Sequence, residues 1–250
     1  MKYIAITLLS VVLISSCVKL DQETGSLEDH LEDNYTRSRE ILIACAAGDP
    51  NGFMGDSEIQ TAVFFYPIAG ATDYRYFETD NLEDSADFTK YIEKTGYTDQ
   101  PVFNGYLHRF NLPEFEGEKM VILTYKRQGN LHVCDPVRIK TNEKPSEINA
   151  SLVTHTPNGT TPNFTWTDGV INENVIYFQV ISDTLGNLIT GTYTYDKTFT
   201  FGDYSNVVLN IKEEDPAPQL LPATTYNFTL MAVSEDNWVN LIAEMPFTTQ

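Results

Sequence analysis

The chain has 250 residues, room for one large domain or two small ones, and 42% of them are hydrophobic, with 14 Tyr and 14 Phe, which excludes a globally disordered polymer. Sixteen Lys and Arg stand against 35 Asp and Glu, a formal charge of -19, so a nucleic-acid duplex would be repelled and nucleic acid is excluded as a partner.

The chain opens with Lys2, an apolar run over 4–14 and two small residues, Ser15 and Ser16. That order is the order of a secretory signal peptide, here residues 1–16. The apolar run is too short to cross about 30 Å of hydrocarbon, which takes ~20 residues. Cys17 follows at once. Ile14-Ser15-Ser16-Cys17 resembles the lipobox of bacterial lipoproteins. The resemblance implies a diacylglycerol thioether on Cys17 and cleavage before it, making the membrane a partner through the lipid anchor. Two or three acyl chains hold firmly where one alone binds marginally. Val18 stands where Asp would mark inner-membrane retention, which implies the outer membrane. Asp21, Glu23, Glu28, Asp29, Glu32 and Asp33 form an acidic stretch similar to the surface-export signal of Bacteroidota lipoproteins, interrupted by Lys19 and Leu20. Residues 17–38 read as an acylated flexible tether, with a short helical turn over 27–31.

From Ile41 onward, short runs of Val, Ile, Phe, Tyr and Thr alternate with Gly, Pro, Asn and Asp clusters. That texture predicts an all-β fold of sandwich type. Residues 82–91 alone break it, as a helical turn or a loop excursion. The polar stretch Thr141-Asn142-Glu143-Lys144-Pro145-Ser146 reads as a linker and divides the chain into domains over 39–142 and 145–250.

In the second half, Phe164-Thr165-Trp166-Thr167 alternates inward rings, and Val175–Ile181 supplies the next strand. Leu220-Leu221-Pro222-Ala223-Thr224-Thr225-Tyr226 matches the L-x-P-x-T-x-Y signature of fibronectin type III domains. The resemblance implies a tyrosine corner, with the ring in the core and its hydroxyl bonded to upstream backbone. The first half resembles a divergent copy, with Phe65 in the place of Trp166. It has a hairpin about Gln128-Gly129-Asn130, and only Leu112-Pro113 remains of the corner. The fold class is therefore two tandem fibronectin type III or immunoglobulin-like β-sandwiches after a lipoprotein signal peptide and tether.

Cys45 and Cys134 fall near the first and last strands of the first domain, which run side by side in such sandwiches, and the compartment is oxidising. A Cys45–Cys134 disulfide is the leading expectation, with two buried apolar thiols as the alternative. Asp49, Asn51, Asp56 and Glu58 are rich in oxygen but miss the calcium-loop spacing, and no metal or other cofactor is expected. His30, His108, His132 and His155 are scattered, without paired spacing or a nucleophile motif, so the chain reads as no enzyme.

Trp238, beside Asp236 and Asn237 at the last turn, suits sugar stacking with hydroxyl hydrogen bonds, against the alternative of a Trp folded onto the neighbouring strand. The sequence thus points to a non-catalytic binding, adhesion or scaffold module, with a glycan or an outer-membrane protein as partner. A carboxylate-dependent hydrolase and a structural spacer are the alternatives.

Overall fold

The computed structural model describes residues 25–34, 39–48, 60–97, 99–112, 114–214 and 216–250. The signal peptide, Cys17, most of the tether and the 49–58 loop lie outside the described residues.

The first module begins with α1 (Leu27–Asp33). Its strands are β1 (Arg39–Leu42), β2 (Ala44–Gly48), β3 (Thr61–Phe65), β4 (Thr72–Thr79), β5 (Ile92–Glu93), β6 (Asp99–Val102), β7 (Leu107–Leu112), β8 (Lys119–Arg127), β9 (Asn130–Cys134) and β10 (Val137–Ile139). The second has β11 (Glu147–Ile148), β12 (Val153–Thr156), β13 (Asn163–Trp166), β14 (Asn174–Asp183), β15 (Leu188–Thr194), β16 (Thr198–Thr200), β17 (Val207–Asn210), β18 (Thr225–Ser234) and β19 (Val239–Thr248).

These strands build four sheets. Sheet 1 has the order β1-β9-β8-β4-β5, with β10 against β8, and sheet 2 has β2-β3-β7-β6. Sheet 3 has β11-β19-β18-β14-β15-β17, and sheet 4 has β12-β13-β16. The two modules repeat one plan. Each enters on a short strand that pairs parallel with the second strand of a hairpin near the module's end, β1 with β9 of the β8–β9 hairpin and β11 with β19 of the β18–β19 hairpin. The chain then switches sheets, and the next strand pairs antiparallel with its successor, β2 with β3 and β12 with β13. Both modules are all-β sandwiches of two facing sheets. The Tyr226 hydroxyl accepts a hydrogen bond from the Leu221 N–H at 2.9 Å, which is the tyrosine corner its sequence implies. Gln128 and Gly129 take φ of 48° and 88° between β8 and β9, the paired positive values of a tight hairpin turn.

Three apolar layers hold the stack together. Phe65, Phe110, Tyr76 and Leu123 meet between sheets 1 and 2, and Phe164, Trp166, Tyr177 and Phe228 between sheets 3 and 4. A third layer fuses the modules face to face. Phe64, Ala62 and Leu107 on the far side of sheet 2 pack against Phe178, Val180, Met231 and Ile242 on the far side of sheet 3. Strand β3, Thr-Ala-Val-Phe-Phe, is therefore buried at every position. An unbroken apolar run is what a strand covered on both faces requires.

One expectation needs correction here. Residues 25–34 are part of the folded body, not tether. Ser26 and Asp29 form a capping box, and Leu27, His30 and Leu31 are buried against the outer face of sheet 1. The 82–91 excursion holds two single 3-10 turns, Leu82–Asp84 and Phe88–Lys90. Tyr91 is buried beneath them, and its carbonyl accepts from the Leu27 N–H.

Candidate functional site at the inter-module junction

The residues singled out at the last turn converge on the junction rather than on solvent. The β18–β19 turn is tight, with Asn237 at φ 61°. Its backbone is read by the first module. The Asp236 carbonyl accepts from the Arg138 N–H at 3.0 Å, and the Asn237 carbonyl from the Ala46 N–H at 2.9 Å. Trp238 bridges in parallel to Ala46 and is wholly buried within the first module's core. Its indole N–H donates to the Lys144 carbonyl at 2.9 Å. Trp238 therefore offers no face to a sugar. The expected stacking platform is a structural plug, because the first module covers it.

Asp236 has a matching role. The Lys140 ammonium, only 5% exposed, lies 2.7 Å from the Asp236 carboxylate. Ser234 Oγ donates to the same group at 2.6 Å. Burial opposes ionisation of Asp236, but these two donors, with the charge of Lys140 and Arg138, hold its carboxyl below the usual range. A buried ammonium needs such a partner, since desolvation of an unpaired charge is costly.

The 141–146 stretch is likewise tied down. Ser146 Oγ accepts from the Gly48 N–H at 2.9 Å and donates to the Val239 carbonyl at 2.7 Å. Thr61 and Thr141 hydroxyls share a short hydrogen bond. The predicted linker is a clasp, with Ser146 bonded to backbone groups of both modules, Asn142 to the Phe115 carbonyl and Lys144 to the Glu173 carboxylate.

Cys45 and Cys134 are unbridged thiols. The expected disulfide fails for a topological reason. The first-strand residue beside Cys134 is Leu42 on β1, and the chain crosses to sheet 2 at Ile43, carrying Cys45 away. Cys134 Sγ accepts from the Leu123 N–H within the first core, and Cys45 faces the second module. Burial pushes both thiols up to about 12.

Cys45 lines an apolar cavity at the junction. This cavity of ≈ 190 Å³ opens between sheets 2 and 3, walled by Ile43, Phe64, Tyr66, Phe178, Tyr193 and Leu209 among others. Phe178 and Tyr193 stack with ring centroids 4.4 Å apart. The Tyr66 hydroxyl crosses the junction to donate to the Ile211 carbonyl at 3.0 Å. Sequence reasoning missed this site because it belongs to neither module alone. Its one visible trace is the apolar continuity of 62–65.

The histidines are built into the architecture. His30 Nε2 lies 3.3 Å from Thr124 Oγ1, and His108 Nδ1 lies 2.6 Å from Asp99. His132 stacks on Tyr125 at 4.4 Å and His155 on Phe164 at 5.1 Å. Among the described residues no helix is long and apolar enough to cross a membrane.

No protein-family model matches the chain, and no curated protein matches it in sequence. Among solved structures it is similar to the FN1–FN3 domains of chicken CNTN1, at 9% identity and a TM-score of 0.30, over 86% of this chain and 68% of that one. It is also similar to domains A168–A170 of titin, at 12% identity and a TM-score of 0.28, over 84% of this chain and 68% of that one.

Proposed function

We propose that this chain is a non-catalytic lipoprotein of a bacterial outer membrane, held by acylated Cys17 and acting as a rigid binding or scaffold unit. One observation carries the scaffold reading: the modules are fused through a shared apolar layer and the Lys140–Asp236 clasp, so their outer faces keep a fixed relation. Residues with chemical potential, such as Asp236, Trp238 and His108, are engaged in holding that body. Sandwich modules of this kind commonly serve as binding elements, with function carried on loops that a rigid frame positions. The partner in this reading is a glycan or an outer-membrane protein, met by those outer surfaces and not by Trp238.

The anchor rests on Ile14-Ser15-Ser16-Cys17. It is tested by expressing the chain in a bacterium fed an alkynyl fatty acid. Labelled protein in the outer-membrane fraction is expected, and Cys17→Ala should lose both label and membrane association. An unmodified thiol at position 17 in the mature protein would overturn it. Affinity capture from solubilised envelopes, with a glycan array in parallel, tests the binding role.

A further inference from the structure

The cavity between sheets 2 and 3 has the properties of a small-molecule site, and the geometry points to an uncharged apolar ligand about the size of one aromatic ring. The inference goes beyond the envelope reading and does not depend on where the chain is anchored.

Three observations fix the ligand class. The first is size. A dry cavity of about 150 Å³ lined by aliphatic and aromatic side chains is enough to hold benzene, and this one measures ≈ 190 Å³. The second is chemistry. The walls are mostly apolar, Ile43, Phe64, Phe65 and Leu107 among them, and the polar lining residues Cys45, Tyr66, Tyr193 and Asn237 carry no charged side chain. The nearest polar functions are neutral or occupied. The Cys45 thiol stays protonated, pushed up to about 12, and the Tyr66 hydroxyl is spent on the Ile211 carbonyl. A charged ligand would lose its hydration and gain no counter-charge. The third is access. Leu209, on strand β17 at the edge of sheet 3, lines the cavity and is 37% exposed, so the cavity wall meets solvent at that edge.

Packing in folded interiors leaves few voids larger than a water molecule. A junction otherwise closed by Trp238 and the Lys140–Asp236 pair retains this one between two facing sheets. A ligand there would touch both modules and tighten their union.

The test uses the full chain carrying Cys17→Ser, so that neither acyl chain nor detergent competes for the cavity. Toluene is the apolar probe and benzoate its anionic counterpart. Saturation-transfer NMR should show saturable one-to-one binding of toluene and none of benzoate. Toluene at tenfold excess over its Kd should raise Tm by about 3–6 °C. Leu209→Trp narrows the mouth from its exposed side and Cys45→Phe fills the interior, and both should abolish toluene binding. Circular dichroism identifies folded variants, and Leu209→Trp keeps the test decisive if the interior substitution fails to fold. No saturable toluene binding by the parent chain would overturn the inference. So would equal binding of benzoate, or toluene binding undiminished in a folded Leu209→Trp protein.

Discussion

Replacing Trp238 by Ala empties a fully buried indole site and strands the Lys144 carbonyl it serves. The expected cost is about 3–5 kcal/mol, read by chemical denaturation. Lys140→Met removes the ammonium opposite Asp236, whose carboxylate keeps Ser234 as a donor and some water. A loss of about 1–2 kcal/mol is expected there, smaller than for a fully buried pair. His30 sets a pH dependence. Burial first, then the charges of Arg75 and Lys126, outweighs Asp73 and Asp33 and lowers its titration from 6.5 to about 4. The unfolded chain therefore takes up the proton first. Stability held by the neutral ring is complete above about pH 6.5 and drains as pH falls through 4, on the order of 3 kcal/mol in all. Urea midpoints measured between pH 7 and 4 should fall more steeply for the parent chain than for His30→Phe. At this scale Tyr226 was legible and Trp238 was not. The corner motif and its bonding partner lie within a few residues of each other, whereas Trp238 finds Lys144 across 94 positions of chain and Ala46 across about twice as many.

Helix α1 owes its existence to a local signal and its stability to a distant surface. Seven residues are too few to stay helical alone in water. Ser26→Ala removes half of the capping box and should cost about 1 kcal/mol, seen as faster hydrogen exchange at 27–33 than in the parent chain. The spacing of Leu27 and Leu31 announced a helical turn over 27–31, but the carboxylates of 21–33 around it masked its docking onto the folded body. The strands were legible through their β-branched and aromatic runs, and the hairpin at Gln128-Gly129 through its turn residues. The break between β1 and β2 was not legible. One residue, Ile43, separates strands that belong to different sheets, and no turn residue announces the switch. That switch is why two cysteines with suitable chain positions never meet.

The molecule as a whole should unfold as one unit. The middle apolar layer is shared, so neither module can open without exposing the other's face to water. Calorimetry should give a single transition with matching calorimetric and van't Hoff enthalpies. Trp238→Ala combined with Lys140→Met should split it into two. Composition and periodicity announced two sandwiches, and they carried no information on whether those sandwiches would touch, because the residues of sheets 2 and 3 that meet are ordinary strand residues when each half is taken by itself. The parallel seating of β1 on β9 has a mechanical corollary. Tension drawn through the amino-terminal side reaches α1 first, which a few side chains and the backbone bonds of Gly25 and Leu27 to Glu93 and Tyr91 hold in place. It next pulls along β1, where the Arg39–Leu42 rungs share the strain together instead of parting one at a time. The chain thus gives way early at its helix and resists at its first strand, a graded fuse between a pulled end and a fused body.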